Sequence, residues 1–357
     1  MPAVTGSATS GHAAPDLAVF DIPLTAHFRG ITRRQGMVWR GRAGWAEFSP
    51  FEDYGPEESI PWWLAAQEAA ERGFPEPRRA SVPVNGIVPA VGPDQAARLV
   101  AESGGCRTVK VKVAEPGQTP AQEIDRVAAV RDALGAGGRI RIDANGAWDV
   151  DTAISRIAAL DKAAGGLEYA EQPCRAVEEL ARVRRRTDVP IAADESIRRA
   201  ADPFRVKRLQ AADLVVLKVQ PLGGVRACLA LAEELELPVV VSSAVETSVG
   251  LAMGVALAAA LPRLEHACGL GTGQLLDGDL VRKRLVVSDA ALPVRPVSPD
   301  PALLAGHAAA PGTERRWRER LDQTRRLAER REAEGREAEG REAEAGLGNG
   351  GRDGRWE

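Results

Sequence analysis

Residues 107–113 read RTVKVKV, and their alternation decides how the chain is built. In an extended strand Val109, Val111 and Val113 share one face, while Lys110 and Lys112 share the other. The valines suit a face packed under helices, so the two ammonium groups enter whatever the opposite face encloses. Outward from this stretch the same unit recurs. VPVNGIV (82–88) precedes it, and RIRID (139–143), LEYAE (167–171), PIAAD (190–194), LVVLK (214–218), VVVSS (239–243) and a short EHACG (265–269) follow, with amphipathic segments between them. Short apolar strands alternating with helices build a parallel sheet. Eight units over about 190 residues predict an α/β fold, a (β/α)8-type (modified TIM) barrel, with an open doubly wound sheet as the alternative.

The barrel is expected over 81–279. Before it, 17–80 holds strand-like stretches, a glycine-containing loop and then a helical stretch from Ser59 to Glu71, which reads as a small α+β capping domain. Leu280 to Ser288 reads as a strand returning to that unit, so the cap is expected to be completed by about 280–305. Residues 1–16 are small, polar and aperiodic, an expected disordered N-terminus. From 311 to 357 the chain is charged and repetitive, with REAEG at Arg331–Gly335 and again at Arg336–Gly340, and the expectation there is a solvated low-complexity tail.

At 357 residues and 44% hydrophobic content the chain can bury one large core and a smaller one. A net charge of -3 offers no basic face to nucleic acid or to a membrane surface, which leaves a small molecule as the expected partner. Cys106, Cys174, Cys228 and Cys268 stand apart with no CxxC pair, and read as buried thiols in a reducing compartment. No basic stretch and apolar run opens the chain, and no uncharged apolar run approaches the roughly 18 residues of a bilayer span, so a cytoplasmic location is expected. The oligomeric state is not legible.

In a barrel of this type, functional groups stand at the C-terminal ends of several strands. Here those ends carry Lys110 and Lys112, then Asp143, Glu171, Asp194, Lys218, and Ser242 with Ser243. Three successive strands thus aim carboxylates at one spot, and three ionised carboxylates need a cation between them. Oxygen-only ligation points to a hard divalent ion, Mg2+ with Mn2+ as a substitute, held by Asp143, Glu171 and Asp194. The lysines carry equal weight because the chain defaults to arginine: of 47 lysines and arginines only six are lysines. Arginine keeps its proton at any working pH, whereas a partly buried lysine can release it. Repulsion and burial are expected to lower the pKa of both Lys110 and Lys112, leaving Lys112, nearer the mouth, as a base. Two lysines flanking a metal-bound carboxylate suggest removal of an α-proton with a metal-stabilised enediolate. A Schiff-base aldolase is the competing use of barrel lysines, but it needs no carboxylate cluster.

The motifs TVKVKV, RIDANGAW, EYAEQP, IAADES, VVLKVQPLGG and VVVSSAVETSVGLA resemble, in that order, those of the enolase superfamily in its muconate-lactonizing-enzyme-like subgroup, over about residues 107–255. The resemblance implies Lys112 as base, Lys218 as its opposing partner, Lys110 as a tuning residue, and Asn145 and Glu195 as supporting groups. The subgroup includes dehydratases, racemases, epimerases and cycloisomerases, and the motifs do not choose among them. The compact barrel, the FRGITRRQG stretch and SSAVETSVG incline the reading to a dehydratase of menaquinone biosynthesis acting on a cyclohexadiene carboxylate, with Lys218 holding its cation over the developing ring. Substrate contacts are expected from Ser242, Ser243 and Glu246, from Gly271 and Thr272 in GLGTG (269–273), and from Arg29, Arg33 and Arg34 as a lid. A racemase or epimerase is the nearer alternative. A barrel retained for binding alone is the alternative of another class, and five intact catalytic positions argue against it.

Overall fold

The structure, a computed structural model, describes residues 17–28 and 30–348. The expected disordered N-terminus, Arg29 and the last residues of the tail lie outside them. The described residues begin with three antiparallel strands, β1 (Leu17–Phe28), β2 (Ile31–Arg40) and β3 (Trp45–Phe48), and a helix, α1 (Ile60–Glu71). These form the cap. Ile22, Met37, Val38, Phe48 and Trp62 are fully buried, and because Met37 and Val38 are neighbours on β2, both faces of that strand are covered.

The barrel follows as β4 (Ser81–Pro83), β5 (Gly86–Val88), α2 (Pro93–Ala101), β6 (Thr108–Lys112), α3 (Pro120–Leu134), β7 (Arg139–Asp143), α4 (Val150–Ala164) and β8 (Leu167–Glu171). It continues through α5 (Val177–Arg184), β9 (Ile191–Ala193), α6 (Glu195–Arg198), α7 (Arg205–Arg208), β10 (Leu214–Lys218), α8 (Val225–Leu235), β11 (Val239–Ser242) and α9 (Ser248–Ala260). Strands β5 to β11 pair in parallel in the order β11-β10-β9-β8-β7-β6-β5. The EHACG segment closes the ring between its ends. Gly269 bridges Ser242 and Cys268 bridges Val84, both in parallel, and the Cys268 N–H donates to the Pro83 carbonyl at 2.7 Å.

Helix starts follow their caps: Thr119 and Gln122 form a reciprocal capping box on α3, and the Asp149 carboxylate accepts the Thr152 N–H on α4. The four cysteines are free and buried, as expected. Among the described residues no helix is long and apolar enough to cross a membrane.

Two stretches differ from expectation. Residues 280–288 form no strand: Leu280 and Val281 are buried in succession and Leu285 further on, along irregular backbone, while Asp279 accepts the Ser248 N–H at the start of α9. The strand there is β12 (Ala291–Pro293), and it pairs antiparallel with β4, which splits off from β5 at Pro83. The return to the cap runs instead through Asp277, whose N–H donates to Pro23, and through Ala308 beside Phe20, just after α10 (Pro301–Gly306). The charged segment is the second difference. It forms one long helix, α11 (Pro311–Gly348), whose first half packs on the cap. Trp317, Thr324 and Ala328 are buried, Trp317 meets Phe48 edge-on at 6.1 Å, and Arg320 donates to the carbonyls of Pro50, Phe51 and Tyr54.

Candidate active site

The parallel register sets the site. Lys112 pairs with Asp143, and Asp143 with Glu171, so these side chains stand on neighbouring staves at one level. Asp194 follows β9 directly, and Lys218 ends β10 opposite Ser242. In an eight-stave ring β6 and β10 are four apart, so the two lysine-bearing strands face each other across the mouth.

Each carboxylate is met by a lysine. Lys110 Nζ lies 2.9 and 3.0 Å from the Glu171 carboxylate oxygens and 3.1 Å from Asp143 Oδ2. Lys112 Nζ donates to Asp143 Oδ2 at 2.6 Å and to Asn145 Oδ1 at 2.7 Å. Lys218 Nζ donates to Asp194 Oδ2 at 2.6 Å. Asn145 Nδ2 reaches Glu195 Oε1 at 3.3 Å, and the Asn145 backbone takes a left-handed φ of 48°, which asparagine tolerates better than most residues.

Burial and charge divide these groups. Burial pushes the Glu171 carboxyl up, with the neighbouring charge of Asp143 behind it. Burial also opposes ionisation of Asp143 and Asp194, yet both are held well below the usual carboxylate range, Asp143 by Lys112 and Lys110, Asp194 by Arg198 and Lys218. The expected lowering of Lys110 is reversed. Burial alone would depress it, but Glu171 and Asp143 hold it well above its ordinary value. Lys218 is the ammonium that burial does lower, despite Asp194.

Among the described residues no three His, Cys, Asp or Glu side chains converge closely enough to hold a metal ion as they stand. The lysines instead neutralise the carboxylates one by one. The donor set nevertheless fits a hard dication: three buried carboxylates on successive strands, each sensing the others' charge.

A cavity of about 1160 Å³ opens above these groups. Lys110, Lys112, Asp143, Asn145, Glu195 and Lys218 line its floor; Ser242, Ser243 and Thr272 line one wall, with Ser243 Oγ 2.7 Å from Thr272 Oγ1; and Phe51 and Tyr54 reach over from the cap. Two expected contacts face elsewhere. Glu246 is buried with its carboxylate accepting the Ala244 N–H at 2.7 Å, because strand alternation ends at Ser242 and the chain turns back on itself. Gly271 opens a short 3-10 turn beside the Asn85 backbone, so only its neighbours Gly269 and Thr272 reach the cavity. Of the expected lid, Arg33 pairs with Asp21 at the surface at 2.7 Å and Arg34 is buried.

Two positioning groups, Arg198 and Gln172, escape a reading of strand ends. Arg198 Nε donates to Asp194 Oδ1 at 2.9 Å, and its other nitrogens reach Glu195 and the Tyr54 hydroxyl, so the cap touches a cluster residue through one arginine. Its place four residues after Asp194 was a readable helical spacing. Gln172 Oε1 accepts the N–H groups of Asp194 and Ser196 at 2.9 and 3.2 Å.

Residues 93–300 match the family described as Enolase C-terminal domain-like, and residues 19–70 the family described as Enolase N-terminal domain-like. An o-succinylbenzoate synthase of Thermobifida fusca (strain YX) is 62% identical over 306 residues, covering 86% of this chain and 95% of that protein. The o-succinylbenzoate synthase of Mycolicibacterium smegmatis is 52% identical over 301 residues, covering 84% and 92%. The muconate lactonizing enzyme of Pseudomonas fluorescens complexed with muconolactone shares the fold at a TM-score of 0.70 and 22% identity, over 82% of this chain and 98% of that one. With the cap and the barrel both matched, and a relative of 62% identity along nearly its whole length, this chain belongs to the enolase superfamily.

Proposed function

We infer that the chain is a lyase catalysing the o-succinylbenzoate synthase reaction, the syn-dehydration of 2-succinyl-6-hydroxy-2,4-cyclohexadiene-1-carboxylate to 2-succinylbenzoate. The observation that carries this is a pair of lysines on opposite staves of a barrel mouth with three carboxylates on the staves between, in a chain 62% identical to a protein of that name. Asp143, Glu171 and Asp194 are the residues to hold Mg2+, with Mn2+ as a substitute. Bound there, the ion supplies positive charge to the substrate carboxylate and so makes the neighbouring C–H acidic.

Lys112 Nζ takes the α-proton and then delivers it to the departing hydroxyl on the same face, so that one C–H and one C–O bond break and water leaves. Asn145 Oδ1 orients that nitrogen, and Lys110 holds Glu171 and Asp143 in register. Lys218, paired with Asp194, presents its ammonium to the opposite face of the ring as unsaturation spreads. Gln172 and Arg198 fix the Asp194 backbone and carboxylate. Ser243 and Thr272 offer hydroxyls to the substrate from the wall. A place in menaquinone biosynthesis and a cytoplasmic location, which suits four free thiols, belong to this proposal.

The test is the ultraviolet loss of the cyclohexadiene with purified protein and Mg2+, beside polarimetry on N-succinylamino acids. Dehydration that disappears in Lys112→Ala supports the reading. Racemisation without dehydration replaces it with the racemase, which the opposed lysines also suit.

A further inference from the structure

Arg34, on β2, is 2% exposed, and its guanidinium touches both sides of the cavity. Nε donates to the Val245 carbonyl at 3.0 Å, and Nη2 donates to Ser49 Oγ at 3.0 Å and to the Ser49 carbonyl. The guanidinium carbon lies 4.5 Å from the centre of the Phe51 ring. Phe51 lines the cavity from the cap, and Val245 lines it from the barrel.

Val245 is the unusual partner. It is a β-branched residue at a φ of 60°, in the left-handed region that its Cβ substituents crowd. Such a conformation persists only where its surroundings over-determine it. The surroundings here come from two directions. The flanking residues are tied, Ala244 N–H to the Glu246 carboxylate at 2.7 Å and Thr247 Oγ1 to Glu47 Oε2 at 2.5 Å, while the strained residue itself is held through its carbonyl by the cap.

We infer that Arg34 is a positioning residue: it holds Val245 in its left-handed conformation and, through Phe51, sets the separation of the two walls between which the substrate sits. Misplacement of either wall loosens the grip on the substrate more than it alters the proton transfer at Lys112. The inference rests on the dehydration reading for its kinetic assay only.

The experiment is a double-mutant cycle of Arg34→Met and Val245→Gly, with KM and kcat for dehydration, thermal midpoints, and amide hydrogen exchange of the segment 242–250. Glycine adopts the left-handed region without a Cβ to strain, so it removes the need for the restraint. Arg34→Met is expected to raise KM about 10-fold with Val245 present, with a smaller change in kcat, and to speed exchange across 244–247. In the Val245→Gly background the same substitution is expected to cost less than about 3-fold. Equal costs in both backgrounds, or unchanged KM and exchange in Arg34→Met, overturn the inference. If Arg34→Met does not fold, the same cycle with Arg34→Lys decides it. If wild-type protein fails to dehydrate the cyclohexadiene, the functional reading falls, and the exchange data still decide the hold on Val245.

Discussion

Glu47 offers a test of how the cap is fastened to the barrel. Its carboxylate is fully buried where β3 meets the start of α9: Oε2 accepts from Thr247 Oγ1 at 2.5 Å and from the Gly250 N–H at 3.0 Å, and Oε1 accepts from Ser49 Oγ at 2.7 Å. Burial pushes its pKa from 4.5 up to about 7, against the pull of Thr247 and Arg34. The folded chain therefore holds this proton more tightly than the unfolded chain. Its contribution to stability is fully present below pH 4.5 and is lost as pH rises through 7. A shift of that size is worth roughly 3 kcal/mol between the two limits. Glu47→Gln keeps the shape: the amide oxygen can accept from Thr247 and Gly250, while the amide nitrogen donates to Ser49 Oγ. The variant is neutral at every pH, so its thermal midpoint should gain on wild type by about 5 °C between pH 5 and pH 8, at roughly 2 °C per kcal/mol for a chain of this size. Differential scanning calorimetry of both proteins across that range measures it. A difference that stays flat or shrinks with rising pH refutes the burial argument.

Lys112→Ala should lower kcat for dehydration by about 10³-fold or more, and Lys112→Arg should do the same, since a guanidinium keeps the charge but cannot accept the proton; stopped assays at several pH values check both. Chelation with EDTA should abolish turnover, and Mg2+ added back should both restore it and raise the thermal midpoint, whereas Asp194→Asn should lose the Mg2+-dependent rise. Trp317→Ala should cost about 3 to 4 kcal/mol of stability by chemical denaturation, because the indole is buried against Phe48 and donates to Gln35 Oε1 at 3.2 Å. A cost under 1 kcal/mol would show that the C-terminal helix merely lies on the cap.

The strand-end groups were legible because each obeys a local rule. Alternation puts Lys110 and Lys112 on one face whatever the rest of the chain does, and one βα unit separates Asp143, Glu171 and Asp194. The arginine bias sharpened the signal: three of the six lysines turn up at the cavity floor, while the buried structural cations, Arg34, Arg126, Arg141 and Arg198, are all arginines. Local rules stop where the chain leaves a strand. Glu246 sits in a motif that reads as pocket wall, yet past Ser242 the period no longer says which way a side chain faces, and its carboxylate went to its own loop.

The cap-to-barrel fastening was illegible for a different reason. Arg34 and Val245 are 211 residues apart, and Glu47 and Thr247 are 200 apart, so neither pairing leaves a spacing to read. The lysines' pKa values show the same limit. From RTVKVKV alone, two ammonium groups side by side should depress each other, and the opposite result at Lys110 comes from Glu171 and Asp143, which the fold brings within about 3 Å. The long helix is an intermediate case. Trp317, Leu321, Thr324 and Ala328 step by four, three and four, a helical stripe visible in the sequence, but it holds only two large apolar groups in a field of charge. What makes that stripe dock is the partner surface: Phe48 for the indole, and the carbonyls of Pro50, Phe51 and Tyr54 for Arg320. Phe51 and Tyr54 also line the cavity, so the segment that composition marks as a solvated tail braces one of its walls from behind.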